Sequence, residues 1–540
     1  MNEAVAQAGF PILSLVTFLP LAGALYIALF MEAGQTERIR RVALGVSLAT
    51  FLLSLMLWAG FDAETGAFQW VERYRWIDRF GIHYLMGVDG ISLLLVLMTT
   101  FITVICVLSS WSEIRERVKA YMALFLVVET GCLGVFMALD LFLFYVFWEV
   151  VLIPMVFIIG VWGGARRLYS AIKFFLFTFT GSLFMLLGLI ALYHWHGKMT
   201  GIYTFDAGVL FRTPVPAHVQ GWVFLAFLAG FAVKVPMFPL HTWLPDAHTE
   251  APTAGSIVLA AVLLKLGTYG FVRFSLPLLP AASVQFAPLM ILLSMVAILY
   301  GAAVTLAQRD MKKLVAYSSV SHMGFVMLGV FLLNREGLQG GILQMVNHGV
   351  ATGALFLLVG MAYERTHTRD IRDYGGILGE APFFGLSFLV ILLSSMGMPG
   401  TGGFIGELYV VVGAFRGGWY YALLVVVGIL LGAAYLLWLY QRVFLGAPSR
   451  AVSVSDLGLR ERVAVLPMIG LVFWIGLYPK PFLGVMDVSV DNLLSVVESG
   501  AAEGGVAAEK GRGEALAALL APDTESRDGS VTRNLKAEAP

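Results

Sequence analysis

Apolar runs long enough to cross a bilayer follow one another along almost the whole chain, with short polar loops between them. Residues 10–30, 42–60, 90–110, 120–139, 141–162, 170–195, 220–242, 253–276, 284–307, 314–333, 340–363, 383–415, 419–446 and 464–484 each supply one, and about 20 apolar residues suffice for a helix to span the hydrocarbon. The pattern predicts an all-α integral membrane protein with about fourteen transmembrane helices. Two runs depart from one straight helix per span. Residues 383–415 are too long and carry Met398, Pro399 and Gly400 in succession, and residues 220–242 carry Pro236 and Pro239. Helices 12 and 7 are therefore expected to be interrupted, because proline removes a backbone donor and kinks the ladder. The first run has no basic leader and is followed by further spans, so it reads as a membrane helix and not as a cleaved signal. Beyond about residue 499 Ala, Gly, Glu and Arg replace the apolar runs, and residues 499–540 are expected to form a disordered tail.

Loop charge alternates with the spans. Basic clusters follow the first, third, fifth, ninth, eleventh and thirteenth runs, among them Arg38, Arg40 and Arg41, then Arg115, Arg117 and Lys119, then Arg309, Lys312 and Lys313. Loops of the other parity hold about half as many; the loop after the seventh run, residues 241–250, is the exception among the odd-numbered ones and holds no Lys or Arg. Basic loops stay cytoplasmic, so both termini are expected on the non-cytoplasmic side.

An internal repeat emerges by offset. GSLFMLLG from Gly181 and GALFLLVG from Gly353 share Gly-x-Leu-Phe-x-Leu-x-Gly about 172 residues apart. The same offset carries Glu149 to within one position of His322, Lys234 to within one of Glu407, and Lys173 to within about one turn of His348. The two motifs lie five spans apart, so their helices cross in opposite directions and the repeat is inverted. Helices 4–8, residues 120–276, would match helices 9–13, residues 284–446. Residues 1–119 then hold three N-terminal helices and residues 447–498 a C-terminal one. Inverted halves with one broken helix each are an architecture of ion-coupled transporters.

Composition narrows the chemistry. The 540 residues are 59% hydrophobic and only 13% charged, about half the charge of a soluble domain, with mean hydropathy +0.84. That composition points to lipid as the surrounding medium, and Lys plus Arg equal to Asp plus Glu at 35 each leaves no basic surplus for nucleic acid. Cys106 and Cys132 stand alone in apolar stretches, without Cys or His at ligand spacing, and neither a G-x-G-x-x-G nor a P-loop occurs. Metal, redox-cofactor and nucleotide chemistry therefore have no visible home in the sequence.

An ionisable residue in mid-span costs about 2.5–3.5 kcal/mol on insertion and needs a partner, water or a task. Glu149 lies in the middle of FLFYVFWEVVLIPM, and Lys234 directly before the Pro236 break, where freed carbonyls and water solvate a cation. A static ion pair is the alternative reading for both. Lys265 is too deep to snorkel, and Glu407 follows the second break. His322 and His348 suit proton relay near neutral pH, against the alternative of hydrogen-bonded core histidines. His241 and His248 flank the exit of helix 7 and are either relays or interfacial loop residues. Lys173 starts helix 6 and reads first as a snorkelling cation. Glu129, in the middle of helix 4, has no repeat mate, and structural and functional readings of it stand level. Together these residues predict proton translocation. A Glu–Lys pair at ~4 Å and an effective dielectric of ~20 is worth about 4 kcal/mol, and about 2 kcal/mol at ~8 Å. Modest movement at a broken helix thus switches a lysine between holding and releasing a proton.

At these positions the sequence resembles a known family. GVDGISLLLVLM from Gly87, FWEVVLIPM from Phe147, KVPMFPLHTWLPDAHTEAPTAGSIVLAAVLLKLGTYG from Lys234, DMKKLVAYSSVSHMGF from Asp310 and GMPGTGGFIGELYV from Gly397 are similar to the antiporter-like membrane subunits of respiratory complex I. The likeness runs from helix 3 to helix 13, and the long stretch from Lys234 is its most specific part. Within the family the chain most resembles the subunit M branch, homologous to mitochondrial chain 4. Glu407 stands where sister subunits L and N usually carry Lys, and no long lateral C-terminal helix of the L type is expected.

The resemblance implies a proton-translocating subunit of an NADH:quinone oxidoreductase in the bacterial inner membrane, working beside sister antiporter-like subunits. FMN, iron–sulfur clusters and quinone would then belong to partner subunits and none to this chain. Glu149 would modulate Lys234, Lys265 would be the central relay, Glu407 the terminal exchange site, and His322 and His348 part of the polar axis. The rival is a subunit of a multi-subunit cation/proton antiporter, which shares the helix 7–8 motif, with a membrane hydrogenase subunit behind it. Glu407 and FWEVVLIPM favour complex I.

Overall fold

The computed structural model describes residues 10–448 and 452–520. The chain is helical almost throughout. Its principal helices are α1 Ile12–Phe30, α2 Thr36–Ala59, α3 Gly90–Glu113, α4 Val118–Met137, α5 Leu141–Trp162, α6 Arg167–Thr200, α7 Ala217–Lys234, α8 Thr253–Leu278, α9 Pro280–Leu306, α10 Met311–Phe331, α11 Arg335–Thr366, α12 Pro382–Ser395, α13 Gly402–Gly417, α14 Trp419–Phe444, α15 Leu459–Leu477 and α16 Lys480–Leu520. Among the described residues 12 helices are long and apolar enough to cross a membrane, or up to 13 when α15 and the start of α16, bent by 66°, are taken as one span.

Both breaks fall where proline and glycine put them. α7 stops at Lys234, and the chain turns through residues 235–242 into a short helix, Trp243–Glu250. α12 ends at Ser395 and α13 begins at Gly402, with Gly397 and Gly400 between them at φ 74° and 90°, a region that a Cβ disfavours. Lys234 thus closes the helix before its break, whereas Glu407 sits in the second turn of the helix after its own. A third irregularity lies within a span. Leu259–Leu263 and Phe271–Ser275 of α8 wind as π-helix on either side of Lys265, which loosens the carbonyl ladder at that depth.

Two expectations change. Part of the 61–89 segment, read as loop, forms an antiparallel hairpin of β1 Gln69–Ile77 and β2 Ile82–Val88. Aromatic and β-branched residues favour strands, and Gly81 at φ 62° makes the turn. The hairpin carries buried Glu72, which accepts from the backbone N–H groups of Leu13 at 2.7 Å and Ser14 at 3.1 Å and so satisfies the free donors that open α1. The second change is at the far end. Residues 499–520, expected to be disordered, continue α16 as helix, because Ala, Glu and Leu there are strong helix formers that outweigh the glycines. Residues 521–540 lie outside the described residues.

Burial sorts the helices. All of α8 and the apolar middle of α11 are buried in protein, and the most apolar 18 residues of α10 are 94% buried, whereas the corresponding stretch of α2 is 28% and those of α6 and α14 are 39% buried. Lipid therefore meets an outer shell, and an ionisable group on α8, α10 or α11 meets protein. At one end of this core Asp89 caps α3 through Ile91 and Ser92 and pairs with Arg273 of α8. The Tyr269 hydroxyl accepts from Arg273 Nε at 3.0 Å and donates to the Phe136 carbonyl of α4 at 2.8 Å.

Candidate functional site

Four of the residues singled out in the sequence form a row through the enclosed helices. The Lys265 Nζ, with no exposed surface, donates to the Ala260 carbonyl at 2.5 Å and lies 2.6 Å from His348 Nδ1 on α11. Ala260 belongs to the first π-helical turn, so the irregular backbone supplies the acceptor. The His348 ring lies 5.8 Å from that of His322 on α10. His322 Nδ1 is 3.8 Å from Glu407 Oε1 on α13, and its Nε2 is 3.4 Å from the Tyr435 hydroxyl on α14. The row thus joins four helices, and Tyr435 brings a fifth against it.

The gap between the two imidazoles is polar. A cavity of about 10 Å³ is bounded by His322, His348, Gln344, Asn347, Ser394 and Ser395, which is about the space one water needs. His348 Nε2, Asn347 Oδ1 and Ser395 Oγ are buried there without a protein hydrogen bond, and buried polar atoms of this kind are normally met by water. Asn347 Nδ2 donates to the Gly402 carbonyl at 2.7 Å, which ties the start of α13 to the row.

A second pair occupies the first half of the chain. The Lys234 Nζ is buried without a hydrogen-bond partner and lies 5.2 Å from the centre of the Trp148 ring, whose face is an attractive surface for a cation. Glu149, half-buried on α5, is within electrostatic reach of Lys234 and beside Ser182 of α6, and its Oε1 has no partner. Among the described residues Lys234 forms no ion pair, so the two charges face each other unjoined.

The remaining candidates separate. Lys173 is not a free snorkelling cation: its Nζ lies 2.7 Å from Asp246 Oδ2 in the short helix after the first break, and Arg166 lies 3.5 Å from the other oxygen. His241 is buried in the turn after α7, 5.2 Å from the Tyr300 ring and stacked at 5.9 Å on Phe238. His248 has no exposed surface, lies flat on Phe356 at 4.6 Å, and neither ring nitrogen has a partner. Glu129 is buried on α4 with both carboxylate oxygens unpartnered, near the free thiols of Cys106 and Cys132 and apart from the row. Among the described residues no group of three His, Cys, Asp or Glu side chains is placed to hold a metal. Tyr435 and Trp148 went unnoticed in the sequence, since an aromatic residue in an apolar span gives no signal until its neighbour across helices is known.

A file of lysine, imidazole and carboxylate enclosed in a bundle with two broken helices defines an ion-translocating membrane protein. The chain belongs to the family described as NADH:quinone oxidoreductase/Mrp antiporter, TM, whose model matches residues 138–432. It is 47% identical over 496 residues to NADH-quinone oxidoreductase subunit M of Rhodobacter capsulatus, covering 89% of this chain and 96% of that one. It is 46% identical over 485 residues to NADH-ubiquinone oxidoreductase chain 4 of Marchantia polymorpha, covering 89% and 97%. Among solved structures it is similar to a chain of respiratory complex I from Thermus thermophilus with bound NADH, at a TM-score of 0.81 and 32% identity over 89% of this chain and 99% of that one. The matched residues include Glu149, Lys234 and all four residues of the row, but not Glu129.

Proposed function

We propose that this chain is a proton-translocating membrane subunit of a respiratory complex I, coupling electron transfer from NADH to quinone in partner subunits to proton export. The observation that carries this reading is the row Lys265–His348–His322–Glu407, with a water-sized polar gap between its two imidazoles. Lys265 is the central store, the two histidines and their water pass the proton on, and Glu407 exchanges it with the non-cytoplasmic side. Glu149 and Lys234 act as the gate of the first half. FMN, iron–sulfur clusters and quinone belong to partner subunits, and sister antiporter-like subunits adjoin this chain in the membrane. Purification through a tag on this chain is expected to bring down flavin and iron–sulfur subunits with NADH:quinone reductase activity, while the isolated chain shows no redox absorbance. Recovery of small antiporter subunits instead, with no flavoprotein, would move the assignment to a cation/proton antiporter.

Counting α12–α13 as one broken span and α15 with the start of α16 as another gives fourteen crossings with inverted halves, helices 4–8 against 9–13. Support comes from the matched positions: Glu149 lies near Lys234 in one half, and His322 lies 3.8 Å from Glu407 in the other. The loop charges support both termini on the non-cytoplasmic face of a bacterial inner membrane. Cys106 and Cys132 are buried, so single exposed cysteines report topology cleanly. Glu64→Cys is expected to react with an impermeant maleimide in intact spheroplasts, and Glu116→Cys only in inverted vesicles. The opposite labelling pattern would reverse the orientation.

A further inference from the structure

The turn joining the short helix Trp243–Glu250 to α8 is gripped from two sides by ionisable groups outside the row. Glu113, the last residue of α3, accepts from the Thr253 backbone N–H at 2.9 and 3.1 Å and from its hydroxyl at 3.0 Å. Lys312, buried in the first turn of α10, donates to the Ala251 carbonyl at 2.5 Å. Glu113 and Lys312 are within electrostatic reach of each other. Glu364 also acts on Glu113, and Asp310, Glu250 and Arg369 act on Lys312. On the Thr253 side a cavity of about 10 Å³ is bounded by Ser109, Glu364, Arg460 and Glu461, room for one water. Glu364 there accepts from the Ser112 hydroxyl at 2.9 Å. This is the end of the molecule that carries the basic loops.

Inward of the turn stands His248, three residues before Ala251. It is fully buried, both its ring nitrogens are unpartnered, and its carbonyl accepts from Ser256 Oγ at 2.9 Å. Lys312 and Lys265 are the charged groups that act on it. One belongs to the turn and the other begins the row. An imidazole with two unused nitrogens, acted on by both lysines, can accept a proton on one nitrogen and release one from the other.

We propose that Glu113 and Lys312 form a proton-loading port that supplies Lys265 through His248, an inference that rests on the translocation reading above. Water at the basic face protonates the Glu113 carboxylate. The acid passes its proton through water to one nitrogen of His248, an N–H bond forming as the O–H bond breaks. His248 then releases the proton from its other nitrogen to the neutral amine of Lys265, and Glu113 is reloaded from water. Lys312 supplies positive charge beside the empty carboxylate, which would otherwise stand as an uncompensated buried anion.

Glu113→Gln tests the port, because its amide oxygen still accepts from Thr253 while the proton site is gone. In the intact complex in inverted vesicles, proton uptake should fall about tenfold with assembly unchanged on a native gel. Formate, a small acid able to carry protons along the same water route, should restore most of the uptake while leaving the wild type unaffected, and Glu113→Asp should retain most of it. A loss that formate leaves untouched would mean that Glu113 only holds the turn, and would overturn the port. Lys265→Met separates this failure from failure of the row. If Lys265→Met stops uptake while Glu113→Gln pumps at the wild-type rate, the port is wrong and the row stands. If both pump normally, the translocation reading is wrong. Should Glu113→Gln not assemble, Lys312→Met decides by the same assay: formate-restorable loss supports the port, and wild-type uptake overturns it.

Discussion

Lys265→Met is expected to abolish proton uptake in inverted vesicles, by about a hundredfold or more, while the assembled complex stays as stable as the wild type. Methionine fills nearly the same space on α8, and it removes a cation that is costly at this depth. The loss to stability is that of the hydrogen bonds to the Ala260 carbonyl and to His348 Nδ1, about 1 kcal/mol each, which relief of the buried charge offsets. The loss to function is the amine that faces His348 at 2.6 Å, without which the row has no donor. Lys265→Arg distinguishes a relay from a fixed charge. Arginine keeps the positive charge but does not give up a proton in proteins. A static ion-pair role would survive this change, whereas a relay stops. Wild-type uptake in Lys265→Arg, with the row intact, would make Lys265 a structural cation.

Glu149→Gln is expected to lower proton uptake and NADH:quinone reductase activity together, by about tenfold or more. Glutamine keeps the size of the side chain and its capacity to meet Ser182, but removes the one carboxylate identified beside Lys234. Coulomb support for the protonated lysine then drops by about 2–4 kcal/mol, depending on how closely the pair approaches during turnover, at an effective dielectric of ~20. The geometry sharpens the argument. Lys234 has no hydrogen-bond partner and rests 5.2 Å from the Trp148 ring, so its charge state depends on a neighbour that can approach or withdraw. Electron transfer falls with pumping because the two are coupled through the complex. Glu149→Asp keeps the charge but draws it back by one methylene, and partial activity is expected. An assembled Glu149→Gln complex that pumps at the wild-type rate would make the carboxylate a structural partner only.

The sequence was informative wherever lipid imposes a one-dimensional rule. Hydrocarbon demands runs of about 20 apolar residues, so the spans could be read directly. Proline and glycine inside such runs marked both breaks, and the charges that survive in mid-span marked Glu149, Lys234, Lys265, His322, His348 and Glu407. The family could be recognised from the same stretches. Where water replaces lipid the rule lapses, and the hairpin at Gln69–Val88 and the helical continuation over 499–520 were both misread.

Tertiary structure decided which charges meet. Lys265 and His348 are 83 residues apart, and their contact depends on how α8 and α11 are rotated about their axes, which apolar periodicity does not specify when both helices are enclosed on every side. The same packing pairs Lys173 with Asp246 across the first break and sets Glu113 and Lys312 on one turn, although in the sequence each reads as an ordinary residue at a loop boundary. It also leaves Glu129 outside the row despite an equal burial cost. Membrane depth, which is one coordinate, was written in the chain; the proton path needs the two coordinates across the bundle, and these came only from side chains packing between helices distant in sequence.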